Sequence, residues 1–217
     1  MSVKHDHDCG NHRWHERHHD GIRRFFKVLL FLVILVLITV LIVWLVLRPT
    51  KPKFYLRDTT VMAFNLSITP SLLTTIIQAT IAVRNPNQRI GIFYDRLQVY
   101  ASYKSQPITL SSNIRPSYQP HKGVSVLSPF LYGTNVPIAP YLSTSLNQDE
   151  QSGSALLTVK IDGRIRWKVG SWTSGRYRLF VNCPAYLSFD TTFGSTDSNI
   201  LSPVVRFQRI SSCSVTV

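Results

Sequence analysis

A run of twenty residues, 28–47, is apolar at every position except Thr39. An α-helix rises about 1.5 Å per residue, so a helix of this length is about 30 Å long and matches the hydrocarbon core of a bilayer. A helix that is apolar on every side needs lipid or other helices around it, and no other segment of the chain resembles one. The sequence therefore predicts a membrane protein whose single transmembrane helix, residues 28–47, contacts the lipid bilayer.

A cleaved signal peptide is the alternative interpretation of this run, because it lies near the start of the chain and follows basic residues. Signal peptides have apolar cores of about 7 to 15 residues and end at a small-residue cleavage site. Here the run ends at Arg48-Pro49 and contains neither Gly nor Ala. An uncleaved anchor is therefore favoured, and without small residues there is no reason to infer a helix dimer.

The orientation of the anchor follows from the basic residues on its two sides. Residues 1–27 contain six Lys and Arg, and residues 48–57 contain four. Because the cytoplasmic side usually carries the excess, this bias predicts a cytoplasmic N-terminus and a single-pass type II topology. Two features agree with an outer location of the distal part: a glycosylation sequon at Asn65, and the cysteine pair Cys183 and Cys213, which an oxidising compartment would allow to bridge.

The N-terminal tail, residues 1–27, is predicted to be cytoplasmic and disordered. It holds Cys9 and six of the seven histidines of the chain, at positions 5, 7, 12, 15, 18 and 19. Imidazole and thiolate groups bind zinc or copper, but this spacing matches no closed site and few apolar residues are present to build one. Metal binding by the tail stays open as the alternative, and no metal or cofactor site is assigned to the chain.

Residues 48–58 are predicted to form a short, stiff stalk. Pro49 and Pro52 prevent the helix from continuing and favour an extended backbone. The Lys and Arg side chains of the stalk would lie among lipid headgroups, which keeps the distal domain close to the membrane. The remaining residues, 59–217, are enough for one domain with its own hydrophobic core.

The distal domain alternates between apolar and polar residues with a period of two, which is typical of strands with one buried face. Between residues 157 and 169 the odd positions are apolar or Gly, and most even positions are charged. Asp162-Gly163 lies in the middle, so this segment is either one bulged strand or a hairpin. The alternation recurs at residues 77–83, 97–103, 177–183 and 213–217. Because no stretch beyond the anchor sustains a helical period, the prediction is a mainly β fold: an antiparallel sandwich of about seven strands, of the immunoglobulin or fibronectin III type.

Both cysteines of the distal domain fall on the apolar side of their strands. Cys183 and Cys213 could therefore meet inside the sandwich. A bridge that closes a loop of about 30 residues would stabilise the fold by roughly 3 to 4 kcal/mol in the chain-entropy description. Two buried free thiols are the alternative.

Residues 84–95, RNPNQRIGIFYD, resemble the signature of the plant non-race-specific disease resistance and harpin-induced-like family, whose members have a domain of the late embryogenesis abundant group 2 type. Further matching segments are Phe64-Asn65-Leu66-Ser67, Tyr118-Gln119 with His121-Lys122, residues 163–170 and Val181-Asn182-Cys183. Pro120 stands where the family commonly has Gly, and a His-rich start is not typical of it. The resemblance covers residues 22–217. It implies a role in plant defence and stress responses at the plasma membrane, and leaves open whether the protein also concentrates at plasmodesmata.

The signature also has a physical interpretation. Its residues are Asn85, Pro86, Asn87, Gly91, Tyr94 and Asp95. The proline keeps the preceding asparagine out of the helical region, and asparagine side chains cap the backbone of tight turns. The glycine permits a close backbone approach where the next strand begins, and the tyrosine and aspartate would supply a hydrogen bond that fixes the turn. A structural turn is predicted, with a binding hot spot as the alternative.

Catalytic motifs are absent from the sequence. His121 is the only histidine of the distal part, and G-x-S-x-G, P-loop, G-x-G-x-x-G, H-E-x-x-H and paired C-x-x-C patterns do not occur. Seven scattered acidic residues could supply a glycosidase pair, but nothing in their pattern supports one. The protein is therefore expected to be non-enzymatic.

The distal part is strongly basic. It contains 18 Lys and Arg against seven acids, and so carries net +11 of the total formal charge of +13. Four bases on the polar side of one strand would form a basic surface: Lys160, Arg164, Arg166 and Lys168. On the outer side of a membrane such a surface is expected to bind acidic cell-wall polysaccharide or anionic lipid rather than nucleic acid. A solvated charged face without a ligand is the simpler alternative.

These expectations combine in an anchored, non-catalytic interaction protein of the plasma membrane. It would link the membrane to the cell wall or gather protein partners in defence signalling. The alternative from another class is a lipid-binding module, in which the sandwich opens to take an acyl chain beside the bilayer.

Overall fold

The computed structural model describes residues 12–46, 48–67, 70–190, 204–207 and 209–217. The chain forms two compact units, Met1–Arg48 and Pro49–Val217. In the first unit, residues His12–Val46 form the helix α1. The second unit is a β-sandwich with one further helix among its described residues.

Helix α1 contains the described segment that is long and apolar enough to cross a membrane. This segment is Arg23–Ile42, with a mean hydropathy of 3.2, and none of it is buried within the protein. Its large apolar side chains are exposed by 45 to 65%. Such a surface is stable only against another apolar phase, which agrees with the predicted anchor by length and composition.

The start of α1 differs from the prediction of a disordered tail. The helix begins at His12, so residues 12–27 are helical. Once the apolar segment has formed the first turns, each added residue fixes only one more backbone position for each hydrogen bond gained. Arg, Lys and Glu, which are frequent here, also have good helix propensity. Residues 1–11, with Cys9 and two of the histidines, lie outside the described residues.

The strands and the second helix follow one another along the sandwich. In chain order they are β1 Lys53–Ser67, β2 Leu72–Arg84, β3 Gly91–Tyr103, β4 Gln106–Pro107, β5 Ser112–Ile114, β6 Ser117–Gln119, β7 Val124–Leu127, β8 Phe130–Pro137, α2 Pro140–Gln151, β9 Ser154–Val169, β10 Trp172–Thr173, β11 Tyr177–Asp190, β12 Val204–Phe207, β13 Ser211–Ser212 and β14 Ser214–Thr216.

Two antiparallel sheets make up the sandwich. Sheet A has the strand order β13-β1-β2-β7, and β8 also pairs with β2. Sheet B has the order β12-β11-β9-β3-β4, with β10 on β9, β14 on β11, and β5 and β6 on β3. The structure therefore confirms the mainly β sandwich predicted from the two-residue alternation.

The inner faces of both sheets form the hydrophobic core. Along β9 the odd positions Leu157, Val159, Ile161 and Ile165 are no more than 1% exposed. Strand β9 is continuous through Asp162-Gly163, so the predicted alternative of a hairpin at this point is excluded. The bulge lies on the facing strand β3, where the register shifts between Tyr94 and Arg96. A Cβ at Gly163 would overlap the carbonyl oxygen of Arg96, so glycine is needed where the bulged backbone comes close.

Two sequence predictions about the sandwich are corrected by the structure. The described residues contain fourteen strands rather than about seven, because short edge strands of two to four residues carry too little alternation to be recognised. Helix α2 was also missed. The helix is mostly polar. Leu142 and Leu146, four residues apart, lie on its buried face, and Pro140 opens its first turn.

The predicted stalk is shorter than residues 48–58. Strand β1 already begins at Lys53, and Phe54 and Leu56 are 1% and 0% exposed in the core. The apolar and polar residues alternate here as in the other strands, but the neighbouring prolines and basic residues obscured this pattern. Pro52 is also buried, so the sandwich takes up most of the segment that was assigned to the stalk.

Candidate functional site

The signature turn after β2 is built around the side chain of Asn85, which is fully buried. Its Nδ2 donates hydrogen bonds to the carbonyl oxygens of Ile90 (2.8 Å) and Pro120 (3.1 Å). Its Oδ1 accepts from the backbone N–H of Asn87 (3.0 Å) and from Asn87 Nδ2 (2.9 Å). One carboxamide therefore closes the turn at residues 85–90 and joins it to the loop before β7.

Asn87 extends this network to the segment that precedes β1. Its Oδ1 accepts from the backbone N–H of Thr50, and its Nδ2 donates to the carbonyl oxygen of the same residue, both at 2.8 Å. The carboxamide thus satisfies both backbone groups of Thr50, as a neighbouring strand would. Thr50 follows Arg48, the last residue of the helical unit, by two positions. The second asparagine of the signature therefore fixes the start of the sandwich.

Tyr94 and Gln119 form a second buried polar pair under the turn. The hydroxyl of Tyr94 donates to Gln119 Oε1 (2.9 Å), and Gln119 Nε2 donates to the carbonyl oxygen of Val83 (2.8 Å). Burial raises the pKa of Tyr94 well above its ordinary value, because the phenolate would lose its hydration. At Gly91 an added Cβ would overlap the ring of Tyr118, so the close approach here is to a side chain.

Asp95 is separate from the turn network. It is the extra residue of the β3 bulge, and its side chain lies on the outer face of sheet B. Nε and Nη2 of Arg166 bind its carboxylate at 2.6 to 2.9 Å, and Arg176 Nε lies 3.4 Å from Oδ2. These hydrogen bonds raise the pKa of Arg166. The acid therefore neutralises part of the predicted basic surface.

The four predicted basic residues lie on the outer face of β9 but in different surroundings. Lys160 faces Tyr100 across the ladder, and Arg166 is paired with Asp95. Lys168 Nζ lies 5.5 and 5.3 Å from the ring centres of Phe93 and Tyr118, which pack on each other. Arg164 is exposed and has no ion pair among the described residues.

Two arginines that the sequence analysis did not assign to this face lie beside Arg164. Arg96 on β3 and Arg178 on β11 are its direct neighbours in the two adjoining strands. The alternation of residues 177–183 placed Arg178 on a polar side and could have indicated it. Arg96 gave no such signal, because its position depends on the bulge and on the register between strands.

Cys183 and Cys213 are joined in a disulfide, with a Cα–Cα distance of 4.3 Å. Cys183 is fully buried in β11, so the bridge ties the segment between β13 and β14 to the core. The predicted glycosylation residue Asn65 lies near the end of β1, opposite Thr74, with its side chain exposed. The bridge predicted between the two cysteines is therefore formed, and Asn65 has the exposure that glycosylation requires.

Metal chemistry gains no support from the parts of the chain that the structure describes. Within them, no three His, Cys, Asp or Glu side chains lie close enough to hold an ion. His121, the histidine available for a catalytic triad, is exposed in the loop between β6 and β7.

The described residues thus form an apolar helix followed by a β-sandwich whose signature turn is tied by two asparagine side chains. A family profile described as "Late embryogenesis abundant protein" matches residues 80–183. NDR1/HIN1-like protein 1 of Arabidopsis thaliana is 46% identical over 97% of this chain and 99% of its own length. NDR1/HIN1-like protein 12 of the same plant is 46% identical over 97% of this chain and 98% of its own length. The chain belongs to the NDR1/HIN1-like family, which confirms the resemblance found at residues 84–95.

Proposed function

We propose that this protein is a non-catalytic interaction protein, anchored by α1 in the plant plasma membrane, whose sandwich binds acidic partners outside the cell during defence and stress responses. The observation that carries the proposal is the outer face of sheet B, where bases on β3, β9 and β11 outnumber their acidic neighbours. The role in defence and stress is supported by membership in the NDR1/HIN1-like family.

The anchor is supported by the composition and exposure of α1. Twenty residues, Arg23–Ile42, combine a mean hydropathy of 3.2 with side chains of which none is buried within the protein. At about 1.5 Å per residue they are long enough for the hydrocarbon core. Replacing Leu35 and Leu41 by Lys would raise the free energy of membrane insertion by about 2.5 to 3.5 kcal/mol for each lysine near the bilayer centre. The double variant is expected to leave the membrane fraction in alkaline carbonate, whereas wild type stays.

An outer location of the sandwich is supported by three independent features. Basic residues are more numerous before the anchor than after it. The disulfide between Cys183 and Cys213 needs an oxidising compartment to persist. Asn65 is exposed, as an acceptor of a glycan must be.

An acidic partner is supported by the charge of the sandwich and of its outer face. With 18 bases and seven acids, residues 48–217 attract polyanions at a range set by ionic strength. Outside a plant cell, acidic cell-wall polysaccharide is such a polyanion, and its binding would link the membrane to the wall. Protein partners in defence signalling would add to this link.

Wall retention tests this function. Cells that produce the full chain are broken, and the walls are washed in buffer of low and then high salt. We expect the protein to stay with detergent-washed walls at low salt and to be released by high salt. A variant with Ser at Lys160, Arg164, Arg166 and Lys168 should be released early. Equal retention of both proteins would contradict the proposal, and co-purified lipid in the sandwich would favour the lipid-binding module.

A further inference from the structure

Three arginines form a row across the middle of sheet B. Arg164 on β9 pairs in register with Arg96 on β3 and with Arg178 on β11. Residues directly opposite each other have Cβ atoms about 5 Å apart, and like charges in this position destabilise a sheet. All three side chains are exposed, and none makes a hydrogen bond or ion pair within the described parts of the chain. The fold therefore keeps a repulsive cluster that it does not neutralise.

The neighbouring Arg166 shows how the same face neutralises an arginine elsewhere. Its guanidinium is held by Asp95 through three hydrogen bonds of 2.6 to 2.9 Å. The acid nearest to the row along β9 is Asp162, whose Oδ2 accepts a hydrogen bond from the Tyr100 hydroxyl at 3.2 Å. With one acid and three arginines, the row keeps a positive charge.

The row lines an open pocket of about 260 Å³ on the outer face. Besides the three arginines, the pocket wall includes Gln98, Asp162 and Phe180. The Phe180 side chain is 44% exposed, so one side of the pocket is apolar. Gln98 Nε2 donates to Asn113 Oδ1 (3.2 Å), and its own carbonyl oxygen accepts no hydrogen bond from the described residues.

These groups together fit a sugar acid better than an inorganic anion. Guanidinium groups pair with carboxylates through two parallel hydrogen bonds, which accounts for the charge of the row. The Asp162 carboxylate repels a phosphate dianion more strongly than a singly charged carboxylate. It also accepts hydrogen bonds from hydroxyl groups, as the Gln98 carboxamide does. The exposed ring of Phe180 offers an apolar surface to the C–H face of a sugar ring.

We propose that the three-arginine pocket, formed by Arg96, Arg164 and Arg178 with Gln98, Asp162 and Phe180, binds hexuronate units of an acidic polysaccharide. This inference rests on the proposed function, because it assumes that sheet B faces the cell wall. It goes beyond that function by assigning polysaccharide recognition to the row of arginines on three strands. The predicted basic surface lay along β9 alone.

The test uses the full chain in nanodiscs of neutral lipid and short oligogalacturonates as the probe, with binding measured by calorimetry. The pocket variant carries Gln at 96, 164 and 178, and the matched control carries Gln at the exposed Arg57, Arg89 and Arg115, so both lose three charges. We expect the pocket variant to bind at least about tenfold more weakly than wild type, because charge-assisted hydrogen bonds are lost. The control should change by less than about threefold at physiological salt, where distant charges are screened.

Misfolding is separated from loss of the site by thermal unfolding. Because the substitutions relieve repulsion between like charges, the pocket variant should melt at or above the wild-type temperature. Phe180→Ser should weaken oligogalacturonate binding, and methyl-esterified oligomers, which lack the carboxylates, should not bind to wild type.

The outcomes distinguish the pocket from the proposed function. Equal weakening of the pocket variant and the control would overturn the pocket and leave general polyanion binding in place. No binding of oligogalacturonate by wild type would overturn the pocket, and wall retention measured independently would then decide the proposed function. Equal binding of esterified and free oligomers would also contradict carboxylate recognition.

Discussion

Replacing Asn85 by Ala is the most direct perturbation of the signature turn. The side chain is fully buried and makes four hydrogen bonds, to two carbonyl oxygens and to two N–H groups of Asn87. In the Ala variant these partners remain in a buried site without their bonds. At about 0.5 to 1.5 kcal/mol for each bond, and with water reaching part of the emptied site, the expected loss of unfolding free energy is about 2 to 4 kcal/mol.

The assay is urea unfolding of the detergent-solubilised full chain, followed by the change in tryptophan fluorescence when Trp167, which is 6% exposed in the core, becomes solvated. With a urea dependence of about 2 to 3 kcal/mol per molar, the midpoint should fall by about 1 M without a change in slope. The matched control is Gln88→Ala, because Gln88 is exposed in the same turn. Its unfolding free energy should stay within about 0.5 kcal/mol of wild type. If Asn85→Ala were as stable as Gln88→Ala, the hydrogen-bonded turn would not hold this part of the fold.

Three further variants test the packing, the bridge and the buried phenol. Gly163→Ala should lower the unfolding free energy by about 2 kcal/mol or more, because the added Cβ meets the carbonyl oxygen of Arg96 on the neighbouring strand. The control Gly175→Ala, whose Cβ would enter open space, should not lower it, and equal urea midpoints for the two variants would contradict this. Replacing Cys183 and Cys213 together by Ala should cost about 3 to 4 kcal/mol, and reduction of wild type should reproduce most of that loss in the same assay. Above about pH 10 the unfolded chain loses the proton of Tyr94 while the folded chain keeps it, so stability should fall as pH rises, and less steeply in Tyr94→Phe. An unchanged slope in the Phe variant would remove Tyr94 as a cause.

The sequence was sufficient for the features that depend on local pattern. The apolar run predicts the anchor segment within α1, and the alternation around Leu157 predicts a strand of sheet B with one buried face. The alternation also placed both cysteines on the buried side, where the structure joins them. Each of these signals is a local pattern of apolar residues, continuous in the anchor and alternating in the strands.

Features that depend on contacts between distant segments were not predictable in the same way. The pairing of Asn87 with Thr50 joins residues 37 positions apart, and nothing local to either residue indicates it. The row of Arg96, Arg164 and Arg178 depends on the register of three strands and on one bulge. Helix α2 has only a narrow apolar face, and tertiary packing rather than its own pattern stabilises it.

The proposed cell-wall partner depends on the side of the membrane on which the sandwich lies, and one measurement tests this location. Wild type and Asn65→Gln are produced in plant cells, and the mobility of each is compared with and without glycosidase, together with protease protection of sealed membranes. We expect a glycosidase-sensitive shift in wild type that is lost in Asn65→Gln, with the sandwich on the lumenal or outer side. A sandwich on the cytoplasmic side would contradict the account, because it would remove the cell wall as a partner and leave the disulfide in a reducing compartment.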